Sequence, residues 1–138
     1  MIIVDNKLQE REREGRPIRV GMVGAGFMGQ GLTNQIVNSV PGMSMAAIYN
    51  RTPERAEGVY RYSGVDDVVH VDTQAAFEDA VRAGRGVVAD DPMLLCHSDQ
   101  IDVLIDVTGS VEFGANVFIE AFKSVSYTHL TLPTILRV

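Results

Sequence analysis

Residues 24–29 read Gly-Ala-Gly-Phe-Met-Gly, a G-x-G-x-x-G spacing set between two segments of different periodicity. Before it, Ile18–Val23 (IRVGMV) is an almost unbroken apolar run, the pattern of a strand buried on both faces of a parallel sheet. After it, Phe27, Met28, Leu32, Ile36, Val37 and Val40 recur at three- and four-residue steps until Pro41-Gly42, the pattern of an amphipathic helix. A buried strand that turns this abruptly into a helix needs backbone conformations and close approaches that side chains obstruct. In such a crossover Gly24 permits the tight turn, Gly26 lets the backbone come close to a bound group, and Gly29 lets helix and strand pack without an intervening Cβ. The helix N-terminus adds unpaired N–H groups and a positive dipole end, which suit a pyrophosphate.

The remaining pattern repeats this alternation. Met43–Tyr49 is a second strand, and Thr52-Pro53 opens a helix through about Tyr62. Val68–Val71 fits a strand or extended connection, and Asp72-Thr73 can cap a helix over Gln74–Ala83 that stops at Gly84. A third core strand of marginal length over Gly86–Ala89, a one- or two-turn helix entered at Asp90-Asp91-Pro92, a strand over Ile101–Val107 and a Ser110-capped helix over Val111–Phe122 follow. Asp5–Arg16 is a polar helix stopped by Gly15 and Pro17. With no tight Asn-Gly hairpin, the order predicts right-handed crossovers and an α/β fold, a truncated Rossmann-type doubly wound parallel sheet with a short N-terminal helix. The expected divisions are an arm over 1–17, a dinucleotide-binding domain over 18–124, and a foreign tail over 125–138.

Ligands of such sheets lie beyond the carboxyl ends of the strands. At the end of the second strand, NAD-preferring sites place an acid on the ribose 2′-OH, but here the residues are Tyr49-Asn50-Arg51-Thr52. Arg51 can pair with a 2′-phosphate, and Asn50 and Thr52 can donate to it, with Arg55 as a weaker second cation. The expected cofactor is therefore NADP(H) in preference to NAD(H). Asp106-Val107-Thr108-Gly109-Ser110 ends a later strand facing the same crevice, so Thr108 and Gly109 are candidates to line the nicotinamide half. The alternatives at these positions are a solvated loop arginine and a simple helix-capping turn. No catalytic residue and no metal ligand set is assigned: Cys96-His97 is a pair only by adjacency, and the acidic pairs lack the spacing of a calcium loop.

Composition narrows the partners. The chain has 138 residues, a net charge of −6 and one cysteine. An acidic chain is a poor match for nucleic acid, and no apolar run approaches the roughly 20 residues that span a bilayer. A lone Cys96 permits no intramolecular disulfide and, with no secretory leader, fits a cytoplasmic location.

Three stretches carry a family resemblance: Pro17–Gly29 (PIRVGMVGAGFMG), Ala47–Thr52 (AIYNRT) and Asp102–Ser110 (DVLIDVTGS). Together they resemble the N-terminal part of the homoserine dehydrogenase-like oxidoreductases, most closely the branch whose longer members carry a SAF domain and include deoxyxylulose-phosphate reductoisomerase-like enzymes. The resemblance covers about residues 1–124. It implies an NADPH-using reductase, with a homo-oligomeric parent, in which Gly24, Gly26, Phe27, Met28, Gly29, Asn50, Arg51 and Thr108 occupy cofactor-contacting positions. Homoserine dehydrogenase proper and a non-catalytic dinucleotide-binding module are the alternatives. Beyond Lys123 the expected turn, further strand and catalytic region do not follow; Val125–Thr134 (VSYTHLTLPT) resembles a translated transposase-library sequencing adapter. On that reading the chain is the cofactor-binding fragment of a longer enzyme.

Overall fold

The computed structural model describes residues 2–124; the expected foreign tail lies outside the described residues. Eleven elements follow in the order α1 (Ile2–Arg13), β1 (Ile18–Val23), α2 (Phe27–Ser39), β2 (Met43–Tyr49), α3 (Pro53–Tyr62), β3 (Val68–Val71), α4 (Gln74–Arg82), β4 (Gly86–Ala89), α5 (Pro92–Cys96), β5 (Val103–Asp106) and α6 (Val111–Ser124). The strands form one sheet in the order β3-β4-β2-β1-β5, and every pair is parallel. The expected Rossmann-type α/β fold is what the chain adopts. Val68–Val71 resolves into an edge strand beside β4.

Alternation along the strands sends side chains to two cores. Val20, Met22, Met45, Ile48 and Val88 pack against Ile36 of α2 and Ala56, Val59 and Tyr60 of α3. Val23, Ala47, Val87, Ala89 and Leu104 pack on the opposite face with Phe77, Leu95, Val117 and Phe118 from α4, α5 and α6. Full burial of a side chain such as Phe77 is worth about 2–3 kcal/mol. Between Val20 and Gly21 the register with β2 shifts from Met45 to Ala47, so Ala46 is an extra residue and neighbouring Ala46 and Ala47 both join the second core.

Several boundaries differ from the sequence pattern for physical reasons. α1 starts at Ile2, so Asp5 lies in its first turn instead of capping it. The β5 assignment is shorter than Ile101–Val107, yet its ladder extends past both ends: Asp102 N donates to Arg19 O at 2.9 Å and Val107 N to Val23 O at 2.9 Å. In α2 the apolar repeat marks the buried face only in part: Ile36 is buried and Leu32 packs against the core, but Phe27 is 90% exposed and Met28 62%. Gly29, Thr33 and Ile36 take the buried positions, because the helix must begin close against β1 and only small residues fit there.

Candidate functional site

β1 lies between β2 and β5, and the chain leaves it for β2 by α2 on one face and returns to β5 by α5 on the other. This reversal opens a crevice at the carboxyl ends of the three strands. A cleft of about 380 Å³ lies there, walled by the glycine loop, the end of β2 and the start of α6.

Each glycine of the loop has its own geometric reason. Gly24 has φ +108°, and a Cβ on it would lie 3.0 Å from both Thr108 N and Val107 C. Its own N–H donates to Tyr49 O at 2.7 Å, tying the loop to the end of β2. At Gly29 a Cβ would meet Gly24 O and Met22 Cε at 3.1 Å, so the glycine allows helix and strand to approach. Gly26 is the N-cap residue of α2, and a Cβ there would meet nothing within 4 Å. No side chain caps α2, so the amides of its first turn remain presented at the cleft end of the helix.

Of the sequence-predicted residues, Gly24, Gly26, Asn50, Arg51, Thr52 and Thr108 line the cleft. Gly29 supports the loop from behind, and Gly109 shapes the β5–α6 turn through its φ of +74°. The Phe27 and Met28 side chains instead border a separate depression with Leu32 and Tyr62; only their backbone N–H groups belong to the helix end facing the loop. Asn50 is used internally: its Oδ1 accepts from Ala25 N and its Nδ2 donates to Thr52 O, each at 2.9 Å. Thr52 stands at the N-cap of α3 but makes no side-chain cap bond, leaving its hydroxyl uncommitted to the helix.

Arg51 and Arg55 both line the cleft, and among the described residues neither side chain has an ion-pair or hydrogen-bond partner. Arg16, Arg61, Arg82 and Arg85 by contrast are each paired with a carboxylate. Among the described residues, no Asp, Glu, His, Lys or Cys side chain lines the cleft. The turn after β5 braces itself: Thr108 N donates to buried Asp106 Oδ1 at 2.8 Å, and Ser110 N donates to Thr108 Oγ1 at 3.2 Å. Sequence reasoning passed over Tyr49 and Phe113, which line the cleft and stack with ring centroids 6.2 Å apart. The available signal was position alone: Tyr49 ends a strand and Phe113 lies three residues after the cap.

The other singled-out residues stay apart from this cleft. Cys96 is buried, with Sγ donating to Val117 O, and its thiol is pushed up to about 11 by desolvation and then by Glu120 and Asp91. His97 points instead to Glu120 at 3.2 Å. Among the described residues no cluster of His, Cys, Asp and Glu could hold a metal ion, and no helix is long and apolar enough to cross a membrane.

Residues 18–84 match the profile of the Gfo/Idh/MocA oxidoreductase family, NAD-binding Rossmann fold. The match takes in β1 to α4, so this part of the chain is similar to that family's NAD-binding domain. No curated protein matches it. Among solved structures, the chain is similar to scyllo-inositol dehydrogenase from Lactobacillus casei with bound NAD(H) and scyllo-inositol. That likeness has a TM-score of 0.58 and 16% identity, over 83% of this chain and 27% of the other. It is similar also to myo-inositol dehydrogenase from the same organism, in complex with NAD(H) and myo-inositol (TM-score 0.55, 20% identity, 78% and 26% coverage). A variant of a 3-ketoreductase from Actinomadura kijaniata, in complex with TDP-benzene and NADP, gives 0.56, 19%, 86% and 31%. At such identities the likeness is one of fold. The chain spans about a quarter to a third of the length of these structures. The homoserine dehydrogenase-like branch that the sequence resembles is not the family these comparisons return.

Proposed function

We propose that this domain binds NADP(H) in preference to NAD(H) and serves as the cofactor-holding part of a reductase. The observation that carries the reading is the cationic end of the cleft: Arg51 and Arg55 lie there without a carboxylate partner among the described residues, where an NAD-preferring site would place an acid. A guanidinium pairs with a phosphate through charge-assisted, often bidentate hydrogen bonds, and Arg51 and Arg55 sit one helical turn apart to share that role. The uncapped first turn of α2 and the open space over Gly26 fit a pyrophosphate at the other side of the same cleft.

When bound, the nicotinamide supplies or accepts a hydride; the residues of this chain bind and orient the dinucleotide. The three motif stretches over 17–29, 47–52 and 102–110 support the homoserine dehydrogenase-like branch as the kind of enzyme served, with a carbonyl as hydride acceptor. A cytoplasmic setting, where NADPH is available and Cys96 stays reduced, accords with this reading.

Calorimetric titration with NADPH and NADH tests it. NADPH is expected to bind tighter, and Arg51→Ala to lose about one to two decades of NADPH affinity, as expected for a contact of roughly 1.5–3 kcal/mol, with little change for NADH. Raising the salt concentration should weaken NADPH more than NADH. Equal affinities, or a parallel loss of both on Arg51→Ala, would refute the 2′-phosphate contact.

A further inference from the structure

We propose that Asn50 is a positioning residue that holds the phosphate loop and the Arg51 turn in one fixed relation, one end of its carboxamide serving each. The proposal rests on the NADP(H) reading above, since the turn it holds is the one that carries Arg51.

The two hydrogen bonds reach in different directions along the chain. Oδ1 accepts from Ala25 N at 2.9 Å, across 25 residues, between the first and second glycines of the loop. Nδ2 donates to Thr52 O at 2.9 Å, closing a turn around Arg51. Beside it, Gly24 N donates to Tyr49 O at 2.7 Å, so the loop is tied to the end of β2 at two successive points. Thr52 O also accepts from Arg55 N at 3.0 Å, which joins the same clamp to the first turn of α3 and to the second arginine of the cleft. One carboxamide thus connects the backbone segments that present Gly26, Arg51 and Arg55.

The chemistry of the position requires both an acceptor and a donor at amide spacing. Aspartate keeps the acceptor for Ala25 N but offers no donor to Thr52 O when ionised, and alanine supplies neither. Fixing the two segments before the ligand arrives removes an ordering cost from binding, and it does so most for a ligand that contacts both segments. NADPH spans the loop with its pyrophosphate and the Arg51 turn with its 2′-phosphate; NADH lacks the second contact. Asn50 therefore acts on selectivity through Arg51 without being the group that touches the phosphate.

A double-mutant cycle separates positioning from direct contact. NADPH and NADH affinities are measured by calorimetry for the full chain as the native sequence, Asn50→Ala, Arg51→Ala and the double variant, with circular dichroism and thermal melts confirming the fold. Asn50→Ala is expected to lower the NADPH/NADH affinity ratio about five-fold while Arg51 is present, and to leave the ratio unchanged once Arg51 is alanine. Should Asn50→Ala fail to fold, the cycle is run with Asn50→Ser, which adds no acid beside Arg51, and the same coupling with Arg51 is expected. Effects that add independently of Arg51, or an unchanged ratio in Asn50→Ala or in the Asn50→Ser cycle while Arg51→Ala lowers it, overturn the positioning role alone. An unchanged ratio in Arg51→Ala removes the NADP(H) reading and the turn that Asn50 is proposed to hold.

Discussion

A Cβ at Gly24 would press on the backbone of Val107 and Thr108 at 3.0 Å, whereas one at Gly26 would enter open space. Two glycines of one motif therefore fail in different ways. Gly24→Ala combines a φ of +108° with a contact against backbone that cannot rotate away, so it should lower stability by about 2–4 kcal/mol. For a domain of this size that corresponds to a fall in Tm of roughly 10 °C or more. Gly26→Ala has φ −86° and no steric neighbour, so its melting curve should match the native chain. Its methyl group would stand where the loop must approach a pyrophosphate, and dinucleotide affinity should drop at least ten-fold. Thermal melts with and without NADPH check the pair; a destabilised Gly26→Ala, or a Gly24→Ala of native stability, contradicts the assignment of roles. The tight turn at Gly24 was legible in the G-x-G-x-x-G spacing, because steric demands at a strand–helix turn depend on local sequence. The use of Asn50 was not: a carboxamide at the end of a strand can face a ligand or its own fold, and only the position of Ala25 N decides which.

At the scale of elements, local pattern located four of the five strands and left Val68–Val71 open between a strand and an extended connection; unbroken apolar runs such as Ile18–Val23 and Gly86–Ala89 persist only when both faces are covered. Helix faces were less legible. The row Gly29, Thr33, Ile36 that meets the sheet has one large apolar member, while Phe27 and Met28, the most apolar start of the helix, face outward. Hydrophobicity cannot report a face selected for closeness of approach. The docking of α1 was equally hidden, because it depends on a glycine thirty residues away. Gly42, with φ +74°, lies so near α1 that a Cβ would fall 2.0 Å from Leu8 O, and Glu12 Oε2 accepts from Gly42 N at 2.7 Å. No rotamer adjustment relieves a contact of Cβ with backbone. Gly42→Ala is therefore expected to detach or displace α1 while the sheet stays paired. Hydrogen exchange should show amides of residues 2–13 losing protection and those of β1 and β2 retaining theirs. Uniform loss across the sheet, or an undisturbed α1, would count against this docking.

For the whole molecule, the question is whether the cofactor cleft and the α4–α6 layer form one cooperative unit. The cleft takes Thr108 and Ser110 from the β5–α6 turn and Phe113 from the first turn of α6, and further along the same helix Val117 packs over Cys96 of α5 and accepts its thiol hydrogen bond. Cys96 is thus a reporter placed in the core and linked by one helix to the site. At pH 8 its thiol is protonated as well as buried, since burial pushes it up to about 11, so a thiol reagent labels it only when the structure opens. NADPH at about 100 times its Kd stabilises the bound form by roughly 2.7 kcal/mol, and labelling that requires global opening should slow about 100-fold. Labelling that ignores NADPH would mean that α5 and α6 open apart from the site. The same thiol sets an alkaline limit. Its folded value near 11 lies above the ordinary value of 9.0, so the unfolded chain releases the proton first, and the contribution present below pH 9 is lost as pH rises toward 11. Tyr60, also raised by burial, acts in the same direction at higher pH. Denaturation midpoints should therefore fall between pH 9 and 11, and Cys96→Ser should flatten part of that slope; an equally steep decline without the thiol would assign the loss to other groups.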